Sequence, residues 1–185
     1  SLDEYVTIDN NTILNGSEGI YIYGGSSAYE KGNVITNNTI DSFYYYGVRS
    51  YYQESIVISS NFVRDADKYT SPRGLMCLYN NPATITKNTI IIGGTSGPFG
   101  MYLDYNDGTV AVPTIIANNM ITMNGANATG TVTGMEVYNA ENNEVANNTI
   151  VVYGGGTASR ALYLYASGTL DTIRSYNNAA AHMGN

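Results

Sequence analysis

The chain has 185 residues and a single cysteine, Cys77, which sets the expectation of one domain, 1–185, without a disulfide framework. Its net charge is −7 with a pI near 4.4, and only eight Lys and Arg are spread along it, which argues against a nucleic-acid or anionic-membrane surface. Charged residues are 12% of the chain, so Asn, Thr, Ser, Gly and Tyr do the solvating, as suits a secreted or cell-surface repeat, and no apolar run is long enough to insert into a membrane.

In chain order, three short runs open the sequence: Val6-Thr7-Ile8, Asn11-Thr12-Ile13, and Gly19-Ile20-Tyr21-Ile22-Tyr23. The set then recurs. Ile35-x-x-Asn38-x-Ile40 leads to a run around Arg49 and Tyr51, and Ile58-x-x-Asn61-x-Val63 leads through the charged stretch Arg64-Asp65-Ala66-Asp67-Lys68 to Gly74 and Cys77. Ile85, Asn88 and Ile90 precede Gly100-Met101-Tyr102-Leu103, and Ile116, Asn119 and Ile121 precede Gly134-Met135-Glu136-Val137-Tyr138. Val145, Asn148 and Ile150 precede Ala161-Leu162-Tyr163-Leu164-Tyr165, after which a weaker copy carries Asn178 with Ser175 and Ala180 in place of the apolar pair. The asparagine intervals are 27, 23, 27, 31, 29 and 30 residues.

Period-two alternation over three to five residues predicts strands buried on one face, and no stretch carries a 3.6-residue apolar stripe. Three strands in about 28 residues leave no room for a four-stranded propeller blade of about 40 residues, and no leucine-repeat consensus is present. The expected fold is therefore all-β, a parallel β-helix of about six to seven coils, each coil one turn of a solenoid. Asn11, Asn38, Asn61, Asn88, Asn119, Asn148 and Asn178 mark the bend between the first and second strands. Asn tolerates a left-handed backbone there, and inward amides stacked about 4.8 Å apart would satisfy one another as a ladder.

The Asn-Asn-Thr-Ile steps at Asn10–Ile13, Asn37–Ile40 and Asn147–Ile150, with the Gly-led third strands, resemble the right-handed parallel β-helix superfamily over essentially the whole chain. That superfamily includes pectate lyases, polygalacturonases, alginate epimerases and NosD-like surface repeats. The resemblance implies the fold and an extracellular setting but leaves activity open, because the fold hosts lyases, hydrolases, epimerases, adhesins and scaffolds alike. Strands begin almost at the first residue and no cap helix is legible. The expectation is an excised fragment of a longer repeat protein, with end-to-end or homodimeric association covering its open faces.

Tyrosine is the compositional anomaly, at 18 residues with no Trp and three Phe. If Ile20 and Ile22 point inward, then Tyr21, Tyr23, Tyr51, Tyr102, Tyr138, Tyr163 and Tyr165 project from one outer face, with further density at Tyr44, Tyr45, Tyr46 and Tyr52. Such a face suits sugar rings, and it equally suits strand cladding. The expected function is non-catalytic binding of a glycan or partner. The alternatives are a polysaccharide lyase, epimerase or hydrolase acting on an acidic or plant polysaccharide, and a plain stalk.

For catalysis the candidates are Asp104 and Glu136, outward on consecutive third strands beside Tyr102 and Tyr138, at a separation that hydrolysis could use. Asp104–Gly108 imitates a calcium loop, but its glycine comes one position early and the twelfth position is not acidic, so a turn is expected. The one histidine, His182, falls in a tail expected to fray, and no metal or cofactor is expected. Sequons at Asn10, Asn15, Asn37, Asn127 and Asn147 read as by-products of the repeat.

Overall fold

The computed structural model describes residues 3–65, 70–125, 128–166 and 172–184. Every paired strand is parallel to its neighbours, and the strands form three sheets that run the length of the molecule. The first sheet has seven strands, from Thr7–Asp9 to Ile173–Tyr176, and the second has seven, from Thr12–Leu14 to Ala179–Met183. The third has six along its main path: Glu18–Tyr23, Tyr46–Glu54, Arg73–Asn80, Phe99–Asp104, Thr133–Tyr138 and Arg160–Tyr165. This is a parallel β-solenoid of six coils plus the first two strands of a seventh, as the repeat predicts, with no helix among the described residues.

The alternation decides which side chains fill the interior. Ile35, Ile58, Ile85 and Ile116 stack in register from the first sheet, and Ile40, Val63, Ile90 and Ile121 from the second. Val48, Leu75, Met101 and Met135 do so from the third, and all twelve are 0% exposed. The glycine that leads the third strand is a packing requirement. A Cβ on Gly74 would lie 2.6 Å from the Gly100 carbonyl oxygen and 2.6 Å from the Ile90 side chain, so the chain passes there without one. Toward the ends, Ile8, Ile13, Leu162, Leu164 and Ile173 are only partly covered.

Two residues divide the work at the asparagine bend. The left-handed backbone falls on the residue before the ladder position: Asn10, Asn37, Ser60, Lys87, Asn118, Asn147 and Asn177 have φ between 54° and 59°. The ladder asparagine itself turns inward, which corrects the expectation that one residue does both and explains the Asn-Asn doublet. From Asn11 to Asn148, each ladder residue donates its backbone N–H and its Nδ2 to the Oδ1 of the next coil's asparagine, as Asn61 does to Asn88 at 3.0 Å and 3.0 Å. In the five that are buried, from Asn38 to Asn148, the remaining Nδ2 hydrogen goes to a carbonyl of the preceding coil, Ile35 in the case of Asn61, at 3.0 Å. These buried amides have their donors paired and their acceptors doubly used, so burial carries no unmet polar penalty.

One further expectation changes. His182 is not frayed: it lies in Ala179–Met183, paired with Thr149–Gly154, with Nε2 2.9 Å from the Gly154 carbonyl oxygen. Arg64 turns away from its own loop to form an ion pair with Asp41 of the preceding coil, while Asp65 Oδ1 accepts the Gly93 N–H at 3.2 Å. The rest of that charged stretch, Ala66, Asp67 and Lys68, lies outside the described residues, as does the Asn127 sequon.

Candidate functional site

The outward side chains of the third sheet form a grid six strands wide. One row runs Glu18, Tyr46, Arg73, Phe99, Thr133, Arg160; the next Tyr21, Arg49, Met76, Tyr102, Glu136, Tyr163; the third Tyr23, Tyr51, Leu78, Asp104, Tyr138, Tyr165. All seven tyrosines expected on one face sit in the last two rows, because residues two apart on a strand share a face and parallel strands keep register. Asp104 is paired with Tyr138 and Glu136 with Tyr102, so the two carboxylates are diagonal neighbours with backbones about 8 Å apart.

At the first coils the cation is spent locally. Arg49 Nη1 lies 2.7 Å from Glu18 Oε1, and its guanidinium sits 4.4 Å from the Tyr21 ring centroid and 5.2 Å from that of Tyr51. Arg49 therefore stays out of the carboxylate group, as its distance along the sheet implies.

Sequence reasoning overlooks Arg73 and Arg160, which flank that group. The Arg73 guanidinium rests on aromatic rings, 5.2 Å from Phe99 and 5.3 Å from Tyr102, and donates to Tyr46 Oη at 3.4 Å. Its Nε is buried without a hydrogen-bond partner, and no ion pair with a described residue engages it. Arg160 lies 4.1 Å from the Tyr163 ring centroid, also without an ion pair among the described residues. Tyr102 donates its hydroxyl to Asp104 Oδ2 at 3.2 Å, and Asn139 Nδ2 donates to Asp104 Oδ1 at 3.1 Å. Burial, then the Asp104 charge, pushes the Tyr102 phenol up to about 12, so it remains a donor through the neutral range. Burial also raises the Glu136 carboxyl above its ordinary value, with Asp104 adding to the rise and Arg160 and Arg73 opposing it.

Many ring faces on this sheet are already occupied. Tyr138 stacks on Tyr165 at 4.7 Å between centroids with an 18° interplanar angle, and Arg160 covers one face of Tyr163. What these positions offer a ligand is hydroxyl groups, ring edges, two guanidinium groups and two carboxylates on a flat surface.

A second feature escapes the asparagine pattern. Where the third strands end, Tyr52, Tyr79 and Tyr105 take the left-handed conformation with φ between 51° and 55°, and the residues after them, Gln53, Asn80 and Asn106, are buried. Gln53 N–H donates to Asn80 Oδ1 at 3.2 Å and Asn80 N–H to Asn106 Oδ1 at 3.0 Å, which makes a second inward amide ladder. Asn106 donates to the Cys77 carbonyl at 2.6 Å, so the stretch that imitates a calcium loop turns its amide into the core. The dyads Tyr52-Gln53, Tyr79-Asn80 and Tyr105-Asn106 are the signal that could have found this ladder. They place the three tyrosine rings in a column along the solenoid, Tyr52–Tyr79 at 5.1 Å and 13° and Tyr79–Tyr105 at 5.1 Å and 7°.

No curated protein and no solved structure matches the chain. A family model described as a right handed beta helix region matches residues 2–180. With the three parallel sheets and the amide ladder, that match over nearly the whole length shows that the chain belongs to the right-handed β-helix family.

Proposed function

We propose that this protein is a non-catalytic, extracellular or cell-surface β-helix that binds glycan through the outer face of its third sheet. The observation that carries the reading is the set Arg73, Tyr102, Asp104, Glu136 and Arg160, held in fixed register on one flat face with two guanidinium groups left without ion-pair partners among the described residues. Carboxylates accept from sugar hydroxyls, guanidinium groups donate to sugar oxygens, and the surrounding rings exclude water from the polar contacts. A rigid parallel sheet presents these groups with little ordering entropy left to lose on binding. An array of neutral and uronate-containing oligosaccharides, probed with the intact protein, tests this: retention of at least one glycan class is expected, and loss of that signal in Arg73→Ala locates it.

A second reading draws on Glu136 and Asp104 as diagonal neighbours on this face, two carboxyl groups at a separation that hydrolysis could use, with burial raising the Glu136 carboxyl above its ordinary value. Turnover of pectin, alginate or plant glucans that disappears in both Asp104→Asn and Glu136→Gln would establish it in place of the binding reading.

A further inference from the structure

The tyrosine column has two unlike ends. At the first, Tyr52 is met edge-on by Tyr23 at 5.7 Å and 89° and by Tyr29 at 5.7 Å and 61°. At the other, the next coil carries Asn139 at the column position, with the same left-handed backbone at φ 47° and with Tyr105 N–H bonded to the Tyr138 carbonyl. Asn139 has no ring, and its amide is tied to Asp104 Oδ1 at 3.1 Å. Tyr105 stacks on Tyr79 through one face, and no other described ring is in contact with it. At 39% exposure it is the most open ring of the three.

We propose that the free face of Tyr105 is a stacking platform for a single pyranose ring, with Asp104 as the polar contact at its rim. The inference rests on the glycan-binding reading above and names the subsite within it. A pyranose presents C–H groups on one face and hydroxyls around its rim, which matches an aromatic face with an adjacent carboxylate. Asp104 accepts from Tyr102 Oη and Asn139 Nδ2, and a carboxylate has about four lone-pair sites, so acceptor capacity remains for a sugar hydroxyl. The rings of Tyr52 and Tyr79 are pre-stacked behind Tyr105, so the platform does not lose rotamer freedom when the sugar arrives. Tyr138 has the rings of both Tyr163 and Tyr165 against it, and Tyr163 has a ring and the Arg160 guanidinium.

The test is direct binding of cello-, xylo-, laminari- and galacturono-oligosaccharides to wild type and three variants. Tyr105→Ala removes the platform and should weaken binding of the preferred oligosaccharide about tenfold, the effect of one lost stacking contact. Tyr105→Phe keeps the face and should bind within about threefold of wild type. Asn139→Arg puts a guanidinium where Tyr105 is open, as Arg160 covers Tyr163, and should weaken binding at least as much as Tyr105→Ala. Lys87 shows that a long cation tolerates this backbone, at φ 59°. If wild type binds an oligosaccharide and both Tyr105→Ala and Asn139→Arg retain its affinity within twofold, the Tyr105 subsite is wrong while the glycan-binding reading stands. If Asn139→Arg does not fold, the contrast between Tyr105→Ala and Tyr105→Phe decides alone, and equal loss in both overturns the stacking role. If wild type binds none of the four, the subsite and the broader reading fall together.

Discussion

Asn88 donates its backbone N–H and its side-chain Nδ2 to the same atom, Asn119 Oδ1, at 3.0 Å and 3.0 Å. Its own Oδ1 receives the equivalent pair from Asn61, and its second amide hydrogen goes to the Ile58 carbonyl at 2.9 Å. One buried side chain thus satisfies polar groups in three successive coils.

Replacing it should therefore be severe. Asn88→Leu leaves two Asn61 donors, the Asn119 acceptor and the Ile58 carbonyl short of partners in the core, and the expected loss is about 3 kcal/mol. Urea unfolding measures it, and a midpoint equal to wild type would mean that the ladder contributes nothing to stability.

The neighbouring position should behave in the opposite way. Lys87 occupies the left-handed corner at φ 59°, where the repeat mostly uses Asn. Asn tolerates that conformation better than Lys, so Lys87→Asn should raise stability by about 0.5 kcal/mol. The two substitutions sit one residue apart, so opposite signs in the same urea assay would separate backbone strain from ladder hydrogen bonding.

The contrast also shows why parts of the molecule are legible from sequence and parts are not. The first ladder is visible because a single residue type, Asn, recurs beside an apolar residue two positions on, as at Asn38 and Ile40. The second is hidden because its amide changes from Gln53 to Asn80 and its corner residue is tyrosine, an unusual occupant of left-handed backbone. The outward tyrosines follow from alternation, but that Tyr138 and Tyr165 spend faces on each other depends on rotamers that no spacing encodes. Arg73 and Arg160 each stand one residue before the small residue that leads a third strand, Gly74 or Ala161, a position that reads as loop until register pairing puts it on the grid.

Cys77 gives a pH prediction. Burial pushes its thiol up to about 12, against about 8.5 for an exposed thiol. The folded state keeps its proton where the unfolded state has lost it, so the thiol's contribution is complete below about pH 8.5 and declines between there and about pH 12. The stability gap between wild type and Cys77→Ala should narrow by about 2 kcal/mol from about pH 8 to about pH 10. The native thiol should also resist alkylation until urea unfolds the protein. A gap that stays constant across this range would place the thiol in contact with water.

The last prediction concerns Tyr102, which separates binding from cladding on the third sheet. Tyr102→Phe keeps the ring against Phe99, at 5.4 Å between centroids, and beneath Arg73, but deletes the hydroxyl bonded to Asp104 at 3.2 Å. That bond is half-buried and has a charged acceptor, so its removal should lower stability by no more than about 1.5 kcal/mol. It also releases Asp104 from one donor and lets the carboxylate rotate, which should weaken glycan affinity by about tenfold if Asp104 is a ligand contact. Tyr102→Ala adds the loss of the ring and should lower stability by a further 1 kcal/mol or about that much. Urea midpoints and oligosaccharide titrations on the same two proteins distinguish the outcomes. Falling stability in both with no glycan bound by wild type would make the tyrosine grid a cladding that shields the sheet, with Arg73 serving only to pack against it.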